Sequence, residues 1–250
     1  MTIEAFILSW SGVHQNSLAI ARALACHVDC LTLVYSDRDT GFVLETDYPA
    51  IRTPDACFFA GKFKACLDAC TADVMLVITG DVSCNDWAQL ADKCRADFGS
   101  FDRLGLWAPL IDHSSWKLAQ TCLERLADSS LCKVAQTDSI VFAVSRPVMT
   151  RMKRFDYRSN TYGWGIDWAA VACCYANGLF AAVDESILVD HPRQTAYEES
   201  ACIVQMHEFL RQLEQGELRA YLKLQTRLRS STDPLPPGAE IPPWCSLTGD

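Results

Sequence analysis

No stretch of this chain approaches the roughly 20 consecutive apolar residues that span a bilayer, so no transmembrane helix is expected. The opening MTIEAFILSW lacks the basic leader and small-residue cleavage site of a secretory signal. Cations are in deficit. Lys and Arg number 22 against 31 Asp and Glu, a formal net charge of −9, which excludes the clustered positive surface that a nucleic-acid backbone requires. There is no CxxC pair and no Cys/His run with zinc spacing, which argues against a structural zinc site. Neither GxGxxG nor GxxxxGK[ST] follows the first apolar run, removing the simplest dinucleotide-binding reading and the P-loop. Internal repeats are absent, and low complexity is confined to the C-terminal tail.

Half of the 250 residues are apolar, enough for one substantial core with a C-terminal appendage and too few for two full domains. The expected division is a main domain over 1–195, a helical extension over 196–230 and a Pro-rich irregular tail over 231–250, where DPLPPG and IPPW stand. Thirteen cysteines are present, but Cys66, Cys70, Cys122, Cys173 and Cys174 sit in apolar, helix-patterned segments. They read as reduced core residues of a cytoplasmic protein. An acidic protein that handles an anionic substrate must neutralise it locally, and a metal ion is one means.

Along the chain, Ala5 to Trp10 reads as a strand, Ser11 to Asn16 as a turn into an amphipathic helix, and Cys30 to Tyr35 as a second strand ending at Ser36-Asp37. That order begins a parallel α/β sheet. Residues 40 to 55 read as loop and Cys57 to Ala72 as a helix carrying Lys62 and Lys64, cations able to reach a diphosphate or simply a solvated face. The apolar run Val74 to Ile78 then stops at Thr79-Gly80-Asp81-Val82-Ser83. In open α/β sheets ligands bind at the carboxyl ends of strands. There Asp81, with Gly80 permitting close backbone approach, suits a divalent cation holding a phosphate, or else caps the helix that begins near Asp86. Further on, the pattern predicts a helix over Trp87 to Phe98, a strand over Leu104 to Leu110, a loop with His113 and Trp116, a helix over Lys117 to Leu126 and a strand over Ser139 to Val144. Tyr197 to Leu228 reads as one or two amphipathic helices.

The second informative stretch is Phe155-Asp156, then Gly163-Trp164-Gly165-Ile166-Asp167-Trp168, with a following strand that ends in Asp190-His191-Pro192. Two glycines around a tryptophan put an aromatic face, able to stack on a pyranose, beside a carboxylate at a helix start. The alternatives are an N-cap for Asp167, a core position for Trp164 and a strand-end cap for His191.

In order and wording these segments resemble the GT-A fold glycosyltransferases, the family 2 type and its galactosyltransferase-like relatives, over roughly residues 4 to 193. The resemblance implies a mixed, mostly parallel α/β sheet flanked by helices, Rossmann-like, with a helical C-terminal extension. It implies nucleotide and donor contacts from Ser9, Trp10, Ser11, Asp37, Lys62, Lys64, Gly80 and Asp81. The DxD motif matches Thr79-Gly80-Asp81, with Thr in place of the first carboxylate. Asp81 and His191 would hold Mn2+ or Mg2+, and Asp167 would be the general base, with Ile166 where Glu is common. Trp164, Gly165 and Trp168 would meet the acceptor. The implied activity is inverting transfer of a sugar from a nucleoside-diphosphate sugar, UDP favoured, to a saccharide or lipid-linked saccharide acceptor in glycan, bacterial surface polysaccharide or lipopolysaccharide assembly. The implied place is the cytoplasm, with peripheral association at the inner membrane face or with a partner protein left open. A sugar nucleotidyltransferase and a catalytically silent sugar-nucleotide-binding module are the competing readings.

Overall fold

The structure is a computed structural model and describes residues 1–192 and 198–229. The expected boundary at 195 and the Pro-rich tail lie outside the described residues. The first half of the chain gives β1 (Ile3–Ser9), α1 (His14–Leu24), β2 (Cys30–Tyr35), β3 (Ala50–Arg52), α2 (Phe58–Ala69), β4 (Val74–Thr79), β5 (Ser83–Cys84), α3 (Trp87–Ser100) and β6 (Leu104–Ile111). The second half gives α4 (Leu118–Thr121), β7 (Cys122–Arg125), β8 (Leu131–Val134), β9 (Val141–Ser145), α5 (Arg146–Met152), α6 (Ile166–Ala176), β10 (Phe180–Asp190), α7 (Glu199–Leu210) and α8 (Gln215–Arg229).

These strands form one mixed sheet in the order β3-β2-β1-β4-β9-β6-β10-β8-β7, with the short β5 paired to the end of β10. β3, β2, β1 and β4 run parallel, as do β6 and β10, while β9 runs against its neighbours β4 and β6. Central β1 and β4 are buried along their whole length, which is why IEAFILS and VMLVIT read as continuous apolar runs rather than alternating ones. Each face of the sheet carries its own core. Leu18, Leu24, Leu90 and Phe98 of α1 and α3 cover one face. Phe63, Met149, Val171, Phe209 and Tyr221, from α2 and α5 to α8, cover the other.

Three expectations fail locally. Residues 40 to 55 contain β3, which extends the parallel edge beside β2. The helix expected over Lys117 to Leu126 lasts only one turn before the chain enters a β7–β8 hairpin, with Leu126 N–H donating to Leu131 O and Lys133 paired to Glu124 across it. Cross-strand pairing of this kind overrides local helix preference. Cys122, expected as a reduced helix residue, is disulfide-bonded to Cys132 across that hairpin. Cys66, Cys70, Cys173 and Cys174 are free and buried.

The extension is tied down by charge as well as by apolar packing. Arg151 of α5 donates through Nε and Nη2 to Glu217 of α8 at 2.6 and 2.8 Å, and both side chains are largely buried.

Candidate active site at the carboxyl rim of the sheet

β1, β2, β4, β6 and β10 all end on one rim, and the loop after β4 is fixed there by backbone geometry. Gly80 N–H donates to Leu8 O at 2.8 Å, and Asn16 Nδ2 of α1 bonds the carbonyls of both Gly80 and Val82 at 2.8 Å. A Cβ at Gly80 would lie 2.2 Å from Ser17 Oγ and 2.7 Å from Leu8 O. The glycine is therefore required by packing against α1 and β1. β5 then pairs with the end of β10, Ser83 opposite Asp190. That short ladder brings Asp81 and His191, 110 positions apart, to 3.5 Å between Oδ2 and Nε2.

Asp81 does not cap α3. That role falls to Asp86, whose Oδ1 accepts from Gln89 N–H at 2.9 Å. Burial opposes ionisation of Asp81, but His191 and Thr79 outweigh it and hold the pKa below the ordinary carboxylate value. Asp81 Oδ1 is buried without a hydrogen-bond partner. Such an atom is costly to bury. The pair opens into a cleft of about 370 Å³ lined by Asp81, Ser83, Asp112, His113, Asp190, His191 and Pro192, with no Lys or Arg among the described residues of its wall. Among the described residues no three Asp, Glu, His or Cys side chains converge to hold a metal by themselves. An ion here would need oxygens from its ligand and from water to complete a shell.

Asp167 lies in the first turn of α6, where Gly165 adopts the left-handed φ of +88° at the N-cap. It is only 9% exposed. Its Oδ2 accepts from Gln136 Nε2 at 2.8 Å and its Oδ1 from Trp168 N–H at 2.9 Å. Burial first, and then the negative charge of Asp138, push its pKa up to about 7. Asp138 is itself raised to about 6 by burial, partly offset by Ser114 and by the charge of His191. Asp138 shares a hollow with Ile111, whose neighbour Asp112 accepts His191 N–H at 3.1 Å, and it stands two residues from Gln136, the donor to Asp167. Sequence reasoning missed Asp138 and Gln136, because β9 is antiparallel and its amino end, rather than its carboxyl end, lies on the ligand rim.

At the other end of the rim, Asp37 is already engaged. Its Oδ2 bonds His14 Nε2 at 2.9 Å and its Oδ1 accepts Asp39 N–H at 2.8 Å. Ser9 Oγ lies 2.7 Å from His14 Nδ1. The His14 hydrogen bond, then those of Asp39 and Ser11, hold the Asp37 pKa at about 2. His14 also stacks on Phe42, with ring centroids 4.7 Å apart. Ser9 is fully buried, and Ser11 Oγ accepts from Arg38 N–H at 3.1 Å. A nucleobase reaching Asp37 would share its carboxylate with His14, a neighbour the sequence did not indicate. Trp10 is partly exposed beside this slot.

The lysines and tryptophans divide similarly. Lys62 is 3% exposed, donates to Phe58 O, and has its pKa lowered to about 8 by burial. Lys64 is paired with Asp68 on the outer face of α2. Trp164 is partly exposed. Trp168, expected at the acceptor, is instead core: it is packed edge-on between Trp116 and Tyr221, with centroids 5.1 and 5.5 Å away.

No protein-family model matches the chain, and no curated protein matches it. Solved structures do match. The mannosyltransferase PcManGT from Pyrobaculum calidifontis, in complex with GDP-Man and Mn2+, superposes with a TM-score of 0.52 at 11% identity, over 92% of this chain and 70% of that one. S. aureus TarS (1–349) in complex with UDP-GlcNAc gives 0.57 at 9% identity, over 91% and 72%. The fold is GT-A. A Bacillus anthracis protein described as a glucose-1-phosphate thymidylyltransferase, in complex with a sucrose, also shares this fold, with a TM-score of 0.51 at 12% identity over 82% of this chain and 95% of that one. At such identities the likeness concerns the fold alone.

Proposed function

We propose that this protein is an inverting, family 2-like glycosyltransferase that moves a sugar from a nucleoside-diphosphate donor, UDP favoured, to an acceptor hydroxyl in surface polysaccharide assembly. One observation carries the reading beyond the fold. The rim cleft between Asp81 and His191 is walled by carboxylates and imidazoles, holds an unpartnered carboxylate oxygen and has no Lys or Arg among its described lining residues. A diphosphate would be repelled there without a bound cation, so Asp81 and His191 are assigned as holders of Mn2+ or Mg2+. When bound, such an ion supplies charge neutralisation at the departing diphosphate.

Asp167 is assigned as the base. Each of its oxygens has one hydrogen bond and so keeps a lone pair for a proton, and a pKa near 7 suits a base working at neutral pH. In the step itself, the acceptor oxygen bonds the anomeric carbon from the face opposite the diphosphate. The bond from that carbon to the diphosphate oxygen breaks with its electron pair on the diphosphate, and the hydroxyl proton passes to Asp167. Trp164 and Gly165 border the acceptor side, and Asp37 the base, beside His14.

The thymidylyltransferase likeness favours a second reading, nucleotidyl transfer to a sugar phosphate in the same cleft. Incubation with UDP-, GDP- and dTDP-sugars, with and without Mn2+, decides between them. Release of free nucleoside diphosphate supports sugar transfer. Pyrophosphate-dependent formation of nucleoside triphosphate supports the second reading. Binding of a donor with neither product points to a silent binding module, in keeping with Thr79 at the first DxD position, and would overturn both.

A further inference from the structure

We propose that Asp138 recognises one hydroxyl of the donor sugar, an inference that rests on reading the rim as a sugar-nucleotide site. Asp138 stands in the connection between β8 and β9, a buried segment in which Gln136, fully buried, already donates to Asp167 and Thr137 is nearly buried too. Asp138 Oδ2 is buried and has no hydrogen-bond partner. Burying a carboxylate oxygen without a donor is unfavourable, and such an atom in a folded protein calls for a ligand or a water to meet it.

The space beside it has the size of one such group. Asp138 borders a hollow with Ser114, Trp116, Thr121, Thr137 and Val183, which leaves about 20 Å³ for the centre of a water-sized group. That is about one ordered water, or the one hydroxyl that displaces it, and far too little for a ring. Trp116 supplies an apolar wall and Asp138 a charged acceptor, the pairing that a pyranose with one inserted hydroxyl would need.

The location selects the donor rather than the acceptor. Asp138 stands two residues from Gln136, which donates to Asp167, the group assigned to the proton, and its hollow reaches Ile111, next to Asp112, which accepts the N–H of His191, the group assigned to the diphosphate end. The anomeric carbon must react between those two groups, so the ring that bears it lies beside Asp138.

The test compares binding of UDP with UDP-glucose and UDP-N-acetylglucosamine, and of GDP with GDP-mannose, each with Mn2+, to the wild-type chain and to Asp138→Asn. In the wild type one sugar nucleotide binds more tightly than its parent diphosphate. In Asp138→Asn that sugar-dependent gain falls roughly ten- to a hundredfold, the usual worth of a hydrogen bond to a charged group, while the parent diphosphate binds as before. A variant that keeps the gain, or that weakens both ligands equally, overturns the role. Deoxy analogues of the preferred sugar, tested on the unmodified protein, give an independent measure: removal of one particular hydroxyl abolishes the gain, and insensitivity at every position refutes the assignment. If the wild type binds none of these ligands, the sugar-nucleotide reading itself falls, an outcome distinct from failure at Asp138 alone.

Discussion

Two carboxylates stand at strand ends on the same rim, and their surroundings differ sharply. Asp37, after β2, has its oxygens taken by His14 and Asp39, with His14 held in turn by Ser9 and stacked on Phe42. Asp81, after β4, touches His191 through one oxygen and leaves the other buried and unmet. The first region is internally satisfied and the second is not. A polar group that the protein itself completes stabilises the fold, whereas one left incomplete is where an added ligand gains most. The same distinction separates Asp86, occupied with capping α3, from Asp138, whose Oδ2 has no partner.

The largest expected effect tests the incomplete side. Asp167→Asn should lower sugar transfer by on the order of 10²–10⁴, the usual worth of a positioned acid–base group. It should also change how stability depends on pH. Burial and the charge of Asp138 raise the Asp167 pKa from the ordinary carboxylate value of 3.8 to about 7 in the folded chain. Below about pH 4 it is protonated whether the chain is folded or not. As pH rises from there to about 7 the unfolded chain gives up this proton first, so the wild type loses stability across that window and loses no more above it. Asn has no proton to lose, so the variant gains relative to the wild type as pH rises, readable in urea midpoints at pH 4.5, 6 and 7.5. A flat difference would mean that the carboxyl is ordinarily solvated. Asp81→Asn should come next, with donor turnover down by on the order of 10²–10³ and thermal stability lowered at neutral pH, since the folded chain holds the Asp81 pKa below its ordinary value and so favours the charge that is removed. A variant that kept turnover would detach the cleft from the chemistry.

The satisfied side predicts the reverse pattern. His14→Ala removes two side-chain hydrogen bonds and a stacked ring, and should cost about 1–3 kcal/mol by urea unfolding. It also frees Asp37. If the base reaches that carboxylate, UDP should bind the variant several-fold more tightly than it binds the wild type, measured by titration calorimetry. Unchanged affinity would place the base elsewhere and leave the Ser9–His14–Asp37 chain as a structural feature only.

Much of the sheet could be read from the residues, because buried parallel strands declare themselves as unbroken apolar runs: β2 and β4 fall almost where the pattern puts them. The β7–β8 hairpin could not, since Cys122-Leu123-Glu124-Arg125 carries no strong strand preference, and its partner Leu131–Val134 is held to it by cross-strand pairs and the Cys122–Cys132 bridge. At the site, Asp81, Asp167 and His191 each stood out by a neighbouring glycine or a strand end. Asp138 did not, since chain direction within a sheet is a tertiary property and only an antiparallel β9 brings its amino end to the rim. The occupation of Asp37 by His14 was equally hidden. Histidine five residues after a strand end looks the same whether it faces solvent or a carboxylate.

The smallest expected effect concerns the two lysines of α2, which composition treats alike. Lys64 lies on the outer face and pairs with Asp68 four residues on, an exposed helical pair of the kind worth about 0.3–0.5 kcal/mol. Lys62, two residues earlier, faces inward and donates to Phe58 O from a buried position. Lys64→Ala should therefore shift the urea midpoint barely and leave donor affinity within about twofold. A tenfold or greater loss of diphosphate affinity in Lys64→Ala would show that α2 turns its outer face to the ligand on binding, and would extend the incomplete region from the β4 end of the rim to this helix.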